Sequence, residues 1–445
     1  MTASSKNDRK SGVCWMVKTR KLHEPLENRK GSLFLDGFSV KELAQKYDTP
    51  LYVVSEKRIR DNYNRLHDAL INNYKYVKIY YAAKANSNLT VLKILQSQGA
   101  YLDTVSPGEV FMGLVSGYTQ DRMMFTGTSV RNDELKMLSD ANITVNIDSL
   151  SELDRLLKIG VPQILSVRVN PEVGAGHHSH CVTAGPDSKF GLWEEETIQA
   201  YAIAKRARVE RFGIHMHIGS GILDVEPYVL AVDKLLSIAK RVHDEVGIDF
   251  ELIDIGGGFG VPYKPEDQEF DWAAFSSKVV APFKSKVAEY GLGKPFLCVE
   301  PGRYLVCDAG ILLTTVNTVK ITPSKIFVGV DAGFNTLVRP TMYGSYHPIL
   351  VANKLGAADK ETYDVVGPIC ESGDALAKDR ELPTIEEGDL LAVLNAGAYG
   401  FSMSSQYNAR PRAAEVMIRQ GKPVLIRERE QLDNLIANQK VAESP

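Results

Sequence analysis

Between residues 78 and 305 the chain repeats one rhythm: a short apolar run, a turn, then a stretch with apolar positions at helical spacing. The runs predict strands over Lys78–Lys84, Tyr101–Val105, Met123–Thr126, Thr144–Asp148, Gln163–Asn170, Phe212–Ile218, Glu251–Ile255 and Pro295–Glu300. They are too short for buried helices and are bounded by turn residues. Helical patterns follow most of them, such as Leu89–Gln98, Glu109–Gly117, Asn132–Ala141, Ser149–Ile159 and Pro227–Glu245. Strands alternating with helices predict an α/β unit, a (β/α)8 barrel of the TIM type. An open doubly wound sheet is the competing arrangement. The barrel is preferred because the chemically suggestive residues fall at the C-terminal ends of many different strands, where an open sheet would gather them at one switch point.

After about residue 310 the rhythm changes. Strands are predicted over Gly310–Ile321, Lys325–Val330, His347–Val351, Thr362–Val366, Asp389–Leu394, Ala414–Ile418 and Val424–Glu428, with few helix-length patterns between them. That describes an all-β unit, a β-sandwich or small β-barrel. Ser32-Leu33-Phe34-Leu35 and Leu51-Tyr52-Val53-Val54, within Gly31–Val54, supply further strands to it. The expected division is a flexible tail over 1–30, a segment over 31–54 that joins the β unit, a cofactor-binding barrel over 55–310 and the β unit over 311–445.

Composition narrows the function. A chain of 445 residues can fill two cores, and 44% apolar with 24% charged residues is the balance of a soluble globular protein. A formal net charge of -3 supplies no basic field to recruit nucleic acid. No apolar run reaches the length of a membrane span. The first thirty residues are polar and mildly basic, interrupted by Cys14-Trp15-Met16-Val17, unlike a secretory signal; organelle targeting by this tail stays open. Cys14, Cys181, Cys298, Cys307 and Cys370 are odd in number and scattered, which argues against a disulfide framework or a zinc knuckle and fits a cytoplasmic location.

Four stretches carry chemistry. Tyr80-Tyr81-Ala82-Ala83-Lys84 ends an apolar strand on a lysine, where burial is expected to lower the amine pKa as Schiff-base formation requires; a lysine that snorkels outward is the plainer alternative. His215-Met216-His217 puts two imidazoles on one strand face. They could ligate a metal, or one could lie against a planar cofactor while Gly219 and Ser220 serve its phosphate, or both could be core residues. Ile253-Asp254-Ile255-Gly256-Gly257-Gly258 runs a strand into a glycine loop that lets backbone N–H groups approach an anion, or is merely a tight turn. Glu300-Pro301-Gly302-Arg303 ends the eighth strand with an acid suited to a pyridine nitrogen, or with half of a salt bridge. Taken together, a Schiff-base lysine, a stacking histidine, a phosphate loop and a ring-nitrogen acid are the equipment for pyridoxal 5'-phosphate.

In this order, the motifs resemble those of the barrel-type, alanine-racemase-like pyridoxal-phosphate decarboxylases (fold type III), and among them the diaminopimelate decarboxylases. The resemblance runs from about Gly31 to Glu430. It implies Lys84 as the Schiff-base lysine, His217 stacked on the ring, and Glu300 on the ring nitrogen. It implies Ser220, Gly257, Gly258, Gly302, Arg303 and Tyr399 around the phosphate, with Asp103 and Arg168 nearby. Cys370-Glu371-Ser372-Gly373-Asp374 is similar to the segment that the family delivers from a partner subunit. That implies a homodimer with shared sites, and Cys370 as the proton donor after carbon dioxide leaves. Arg303, Arg339 and Tyr343 fit the family's clamp for a distal carboxylate; Glu371 fits its partner for the distal amine, and Asn335 lies in the same region. Thr126-Gly127-Thr128-Ser129, Pro107 and Phe334 depart from the usual family residues.

The implied reaction is decarboxylation of meso-2,6-diaminopimelate at its D-centre to L-lysine, with no metal. A buried arginine left without its carboxylate is costly, so such a clamp is expected to reject ornithine or lysine. The alternatives are a related decarboxylase of carboxynorspermidine, a D-diamino acid or a carrier-bound amino acid, a non-catalytic barrel that only carries the cofactor, and a metal hydrolase using His215 and His217. The last is weakened because sequence places no acidic third ligand.

Overall fold

The computed structural model describes residue 22 and residues 24–176, 183–185 and 188–442. Cys14, Cys181 and most of the expected tail lie outside the described residues. Leu26–Arg29, at the end of that expected tail, is already a strand: β1 (Leu26–Arg29), β2 (Ser32–Leu35) and β3 (Phe38–Ser39) form a small antiparallel sheet. Helix Val40–Tyr47 and β4 (Leu51–Ser55) follow, and β4 is buried at every position.

Helix Glu56–Ile71 then leads into eight strands: β5 (Val77–Ala82), β6 (Tyr101–Thr104), β7 (Met123–Phe125), β8 (Thr144–Ile147), β9 (Ile164–Val169), β10 (Arg211–Met216), β11 (Phe250–Gly257) and β12 (Phe296–Glu300). Each pairs in parallel with the next, and β12 closes on β5 through Leu297↔Val77, Cys298↔Lys78 and Val299↔Ile79. The barrel is therefore closed, not an open sheet. Its strands are apolar on both faces because side chains fill the inside while helices cover the outside. Helix Pro107–Val115 shows how local sequence sets a boundary. Ser106 Oγ accepts from Glu109 N (3.3 Å), Glu109 Oε2 accepts from Val105 N (2.8 Å), and Pro107 occupies the first turn, where its missing N–H costs nothing. The helix thus starts two residues before the apolar pattern does.

The remaining strands are β13 (Gly310–Ile321), β14 (Ile326–Val330), β15 (Ile349–Val351), β16 (Lys360–Val366), β17 (Ala375–Pro383), β18 (Leu390–Val393), β19 (Ala414–Arg419) and β20 (Lys422–Arg427). They form one sheet in the order β17-β16-β14-β13-β4-β19-β20, with β18 pairing β13 and β15. Early in sequence, β4 sits in the middle, antiparallel to β13 and parallel to β19, so the segment before the barrel is built into the β unit. The seven strands read from sequence after residue 310 are all present, and β17 is an addition. No helix among the described residues is long and apolar enough to cross a membrane.

Candidate active site

Barrel closure brings the C-terminal ends of β5, β6, β10, β11 and β12 together, and most of the sequence-predicted residues sit there. Lys84 lies just past β5, in the single turn Ala83–Ala85, and its Nζ is 2.9 Å from Asp103 Oδ2 on β6. Asp103 stands beside Lys84 because Ala82 and Asp103 are register partners. Protein atoms crowd the ammonium, while 38% of the side chain faces open space at the barrel mouth. The expectation of a lowered lysine pKa is corrected here. Burial does push it down, but Asp103, Glu300 and Tyr399 outweigh burial and raise it above its ordinary value. Burial and Glu300 in turn raise the Asp103 carboxyl, making it the adjacent acceptor for a proton that Lys84 must release before acting as a nucleophile.

Glu300 ends β12 with only 4% exposure. Its Oε2 lies 3.2 Å from His215 Nε2, and its Oε1 accepts from Thr126 Oγ1 at 3.3 Å. Asn146 Nδ2 donates to Thr126 Oγ1 at 2.9 Å and fixes that hydroxyl. Burial alone would raise the Glu300 carboxyl, yet His215 and Lys84 hold it below the usual carboxylate range. His217 is different. Its Nδ1 accepts from Gly257 N at 3.1 Å, and burial, with Arg168 nearby, pushes its pKa down to about 3. It is a neutral, flat ring, suited to lie against a planar group. The glycine loop thus uses one nitrogen of His217. The sequence placed no acidic third ligand, whereas the structure sets Asp254 and Glu300 beside His215, with one ligand atom of each within 4.8 Å of the others.

The glycine loop is a cradle that side chains would fill. A Cβ on Gly257 would lie 1.9 Å from the Glu300 carbonyl oxygen, and one on Gly258, at φ +93°, would lie 2.4 Å from the Gly219 oxygen. Arg303, buried behind it, donates from Nη2 to Ser220 Oγ (3.0 Å) and from Nη1 to Tyr263 Oη (2.7 Å). Its Nε has no protein partner. Tyr399, at φ +56°, is fixed by its N–H on the Ala85 carbonyl (2.8 Å), and its ring lies under Arg303 (4.9 Å) and Arg339 (5.6 Å). Gly302 leaves room for it, since a Cβ there would stand 3.3 Å from the Tyr399 hydroxyl. Arg168 is buried on β9 with Phe190 against its guanidinium (4.4 Å).

Arg339 opens the short helix Arg339–Tyr343 at 2% exposure, with Tyr343 5.5 Å and Tyr263 5.9 Å from its guanidinium. Arg303, Arg339, Tyr343 and Tyr399 are therefore one cationic, aromatic-walled group, and Asn335 is buried nearby in the chain. Cys370 and Glu371 are not part of it. Both are exposed; Cys370 N donates to Asn408 Oδ1 (3.1 Å), and the Glu371 carboxylate accepts from the Tyr407 hydroxyl. A cavity of about 960 Å³ between barrel and β unit, lined by residues such as Arg58, Trp272, Tyr346 and Arg380, includes none of these groups.

The donors suit pyridoxal phosphate. Cationic Arg303 and Ser220 beside the glycine loop would meet an anion, the neutral imidazole a ring face and the carboxylate a ring nitrogen, while Asp103 Oδ1 and Arg303 Nε make no hydrogen bond among the described residues. Sequence reasoning missed Thr126, Asn146 and Tyr263 as members of the site. Thr126 ends an expected strand and could have been flagged, whereas Tyr263 follows the glycine loop without any local signal.

Comparison with known proteins agrees with this geometry. The family described as pyridoxal-dependent decarboxylase, pyridoxal binding domain, matches residues 56–307. The diaminopimelate decarboxylase of Methanothermobacter thermautotrophicus is 53% identical over 415 residues, covering 93% of this chain and 97% of that protein. That of Aquifex aeolicus is 41% identical, covering 92% and 96%. The crystal structure of diaminopimelate decarboxylase from M. jannaschii in complex with L-lysine superposes with a TM-score of 0.87 at 35% identity, covering 94% of this chain and 98% of that one.

Proposed function

The chain belongs to the diaminopimelate decarboxylase family of pyridoxal-dependent decarboxylases, and from that premise we propose how its own residues carry the reaction. It is a pyridoxal-phosphate carboxy-lyase that removes carbon dioxide from the D-centre of meso-2,6-diaminopimelate and leaves L-lysine, the last step of lysine biosynthesis. The observation that carries this reading is the junction of two groups: Lys84, Asp103 and Glu300 at the mouth of a closed barrel, and the buried Arg303–Arg339 pair beside them.

Pyridoxal phosphate, when bound, supplies an electron sink conjugated to the amine-bearing carbon. Lys84 would hold it, Glu300 would take its ring nitrogen and His217 its ring face. Ser220, Gly257, Gly258, Gly302, Arg303 and Tyr399 would take its phosphate. Asp103 receives the Lys84 proton, and the neutrality of His217 keeps a second cation away from the ring. Arg303, Arg339 and Tyr343 bind the distal carboxylate of the substrate, so a substrate lacking it forgoes charge-assisted contacts to two buried guanidinium groups. Glu371 meets the distal amine, and Cys370 returns a proton to the carbon that lost its carboxylate.

The last two roles require a second copy. Cys370 and Glu371 are exposed and bonded only to their own β unit, which supports a homodimer in which each chain lends Cys370–Asp374 to the other. We place the boundary between barrel and β unit at residue 310 and assign the enzyme to the cytoplasm. The thiols of Cys298, Cys307 and Cys370, all unbridged, support that compartment. The test is carbon dioxide release from meso-diaminopimelate, L-lysine and D-ornithine in parallel, with and without pyridoxal phosphate. Cofactor-dependent release from meso-diaminopimelate alone is expected; release from another substrate alone would overturn the lysine-forming assignment.

A further inference from the structure

His215 has no role in the scheme above, yet it is wholly buried against the carboxylate on which that scheme depends. Strand register explains its position. His215 of β10 stands opposite Asp254 of β11, and Gly257 of β11 stands opposite Glu300 of β12. Closure of the barrel therefore gathers an imidazole between two acids, with exposures of 0% for His215, 0% for Asp254 and 4% for Glu300. Asp254 Oδ1 accepts from Gly256 N at 2.8 Å, at the root of the glycine loop. Asp254 Oδ2 and both ring nitrogens of His215 make no hydrogen bond among the described residues, although His215 Nε2 lies 3.2 Å from Glu300 Oε2.

We propose that His215 and Asp254 are positioning residues which aim Glu300 at the cofactor's ring nitrogen and fix where its proton resides; this rests on the reading of Glu300 given above. Two carboxylates cannot both stay ionised in so small a buried space, so the proton must sit on one of them. Burial and the Glu300 charge push Asp254 well above the carboxylate range, while His215 and Lys84 draw Glu300 below it. Asp254 is then the neutral acid and Glu300 the anion. His215 Nε2 lies 3.2 Å from Glu300 Oε2, close enough to steer that oxygen. Thr126 holds the other oxygen of Glu300, so both oxygens face protein groups before anything binds. The other charged or titratable groups that act on these acids include Lys84, Asp103, Arg168 and His217, with the buried Cys298 and Tyr80 close to Asp254.

The test uses the holoenzyme with the variants His215→Gln, Asp254→Asn, Glu300→Gln and the double variant His215→Gln/Glu300→Gln. Asp254→Asn keeps the acceptor for Gly256 N–H and the side-chain shape, and decides the matter if His215→Gln does not fold. Two readouts are taken: the pH dependence of the bound cofactor's visible absorbance, and kcat and KM for meso-diaminopimelate. The expected result is a displaced absorbance titration and a kcat lowered at least about tenfold with KM nearly unchanged. The double variant is expected to be no worse than Glu300→Gln alone, because His215 acts through Glu300. An unchanged titration and kcat, or losses that simply add in the double variant, would overturn the proposal. So would stoichiometric zinc in the purified wild type that His215→Gln abolishes, since the same three side chains would then be metal ligands. If the wild type binds cofactor but releases no carbon dioxide, the functional reading fails, while the absorbance titration still decides this inference.

Discussion

Lys84, Asp103, Glu300 and His217 are enclosed at the mouth of the barrel and held by hydrogen bonds to one another or to the loops around them, whereas Cys370 and Glu371 stand exposed on the β unit. The exposed segment is nevertheless tied down by hydrogen bonds. Buried Asp374 accepts from Ile369 N (2.7 Å) and Phe334 N (2.6 Å), and Thr341 Oγ1 donates to the Gly373 carbonyl (3.0 Å). A loop pinned to its own β unit while Cys370 and Glu371 stay exposed fits the proposed presentation to a second copy. On the proposed reading, the barrel holds the half of the site that must be dry and charge-balanced, and the β unit offers Cys370 and Glu371 to a second copy.

The contrast breaks first at Lys84. Lys84→Ala is expected to lower kcat by on the order of 10⁴-fold or more, because no other amine replaces the nucleophile. Steady-state carbon dioxide release measures it, and a loss of only tenfold would place the chemistry elsewhere. Next comes the exposed half. Cys370→Ser is expected to cost kcat roughly 10²-fold as a proton donor weakens, with a melting temperature within about a degree of wild type, since nothing packs on an exposed thiol. A large fall in melting temperature with normal kcat would instead make Cys370 structural.

Arg339→Met removes the guanidinium but keeps an apolar stem among Tyr263, Tyr343 and Tyr399. It is expected to reduce kcat/KM for meso-diaminopimelate about 10²-fold while leaving cofactor absorbance intact. Comparable loss of cofactor would move Arg339 from substrate to phosphate.

The smallest effect compares one imidazole from each unit. His217 in the barrel and His347 in the β unit are both pushed by burial to about 3. Each stays neutral in the folded chain while its unfolded counterpart takes a proton below about pH 6.5, so acidification favours unfolding. Half-buried Glu109 and buried Glu152, raised to about 7, act oppositely: they keep protons in the fold that the unfolded chain has lost above about pH 4.5. The two pairs therefore offset one another between about pH 4.5 and 6.5. From pH 4.5 to 3 the histidines still titrate differently, at about 2 kcal/mol each, and Glu300, held low in the fold, adds to the loss as it protonates more readily in the unfolded chain. Urea unfolding is expected to show a shallow slope in the first window and a steep loss in the second; a steep loss already at pH 6 would mean that the imidazoles are not buried neutral.

What could be read from sequence follows the same physics. The barrel strands were legible because each is apolar on both faces, and the site lysine, glycine loop and glutamate sit beside strand ends that apolar runs mark. β17 was not legible. Ala-Leu-Ala-Lys-Asp-Arg-Glu-Leu-Pro carries charge on both faces in its middle because it is the edge of its sheet, and Asp379 at φ +51° breaks the alternation. The helix Val40–Tyr47 lay hidden between two short apolar runs that read as strands. His215 looked like a metal ligand or a core residue because its partners, Asp254 and Glu300, lie on other strands and meet it only when the barrel closes. The Lys84 pKa was misjudged for the same reason, since burial can be read locally but Asp103 and Glu300 cannot.

The division of the site between two copies is tested most directly by mixing inactive chains. Lys84→Ala and Cys370→Ala proteins are unfolded together and refolded as a mixture. If each chain lends Cys370 to its partner, half of the randomly formed dimers carry one intact site, and the mixture regains about a quarter of wild-type activity although neither parent is active. A mixture that stays as inactive as its parents, with mixed dimers verified by mass, would show that each chain completes its own site and would contradict the account.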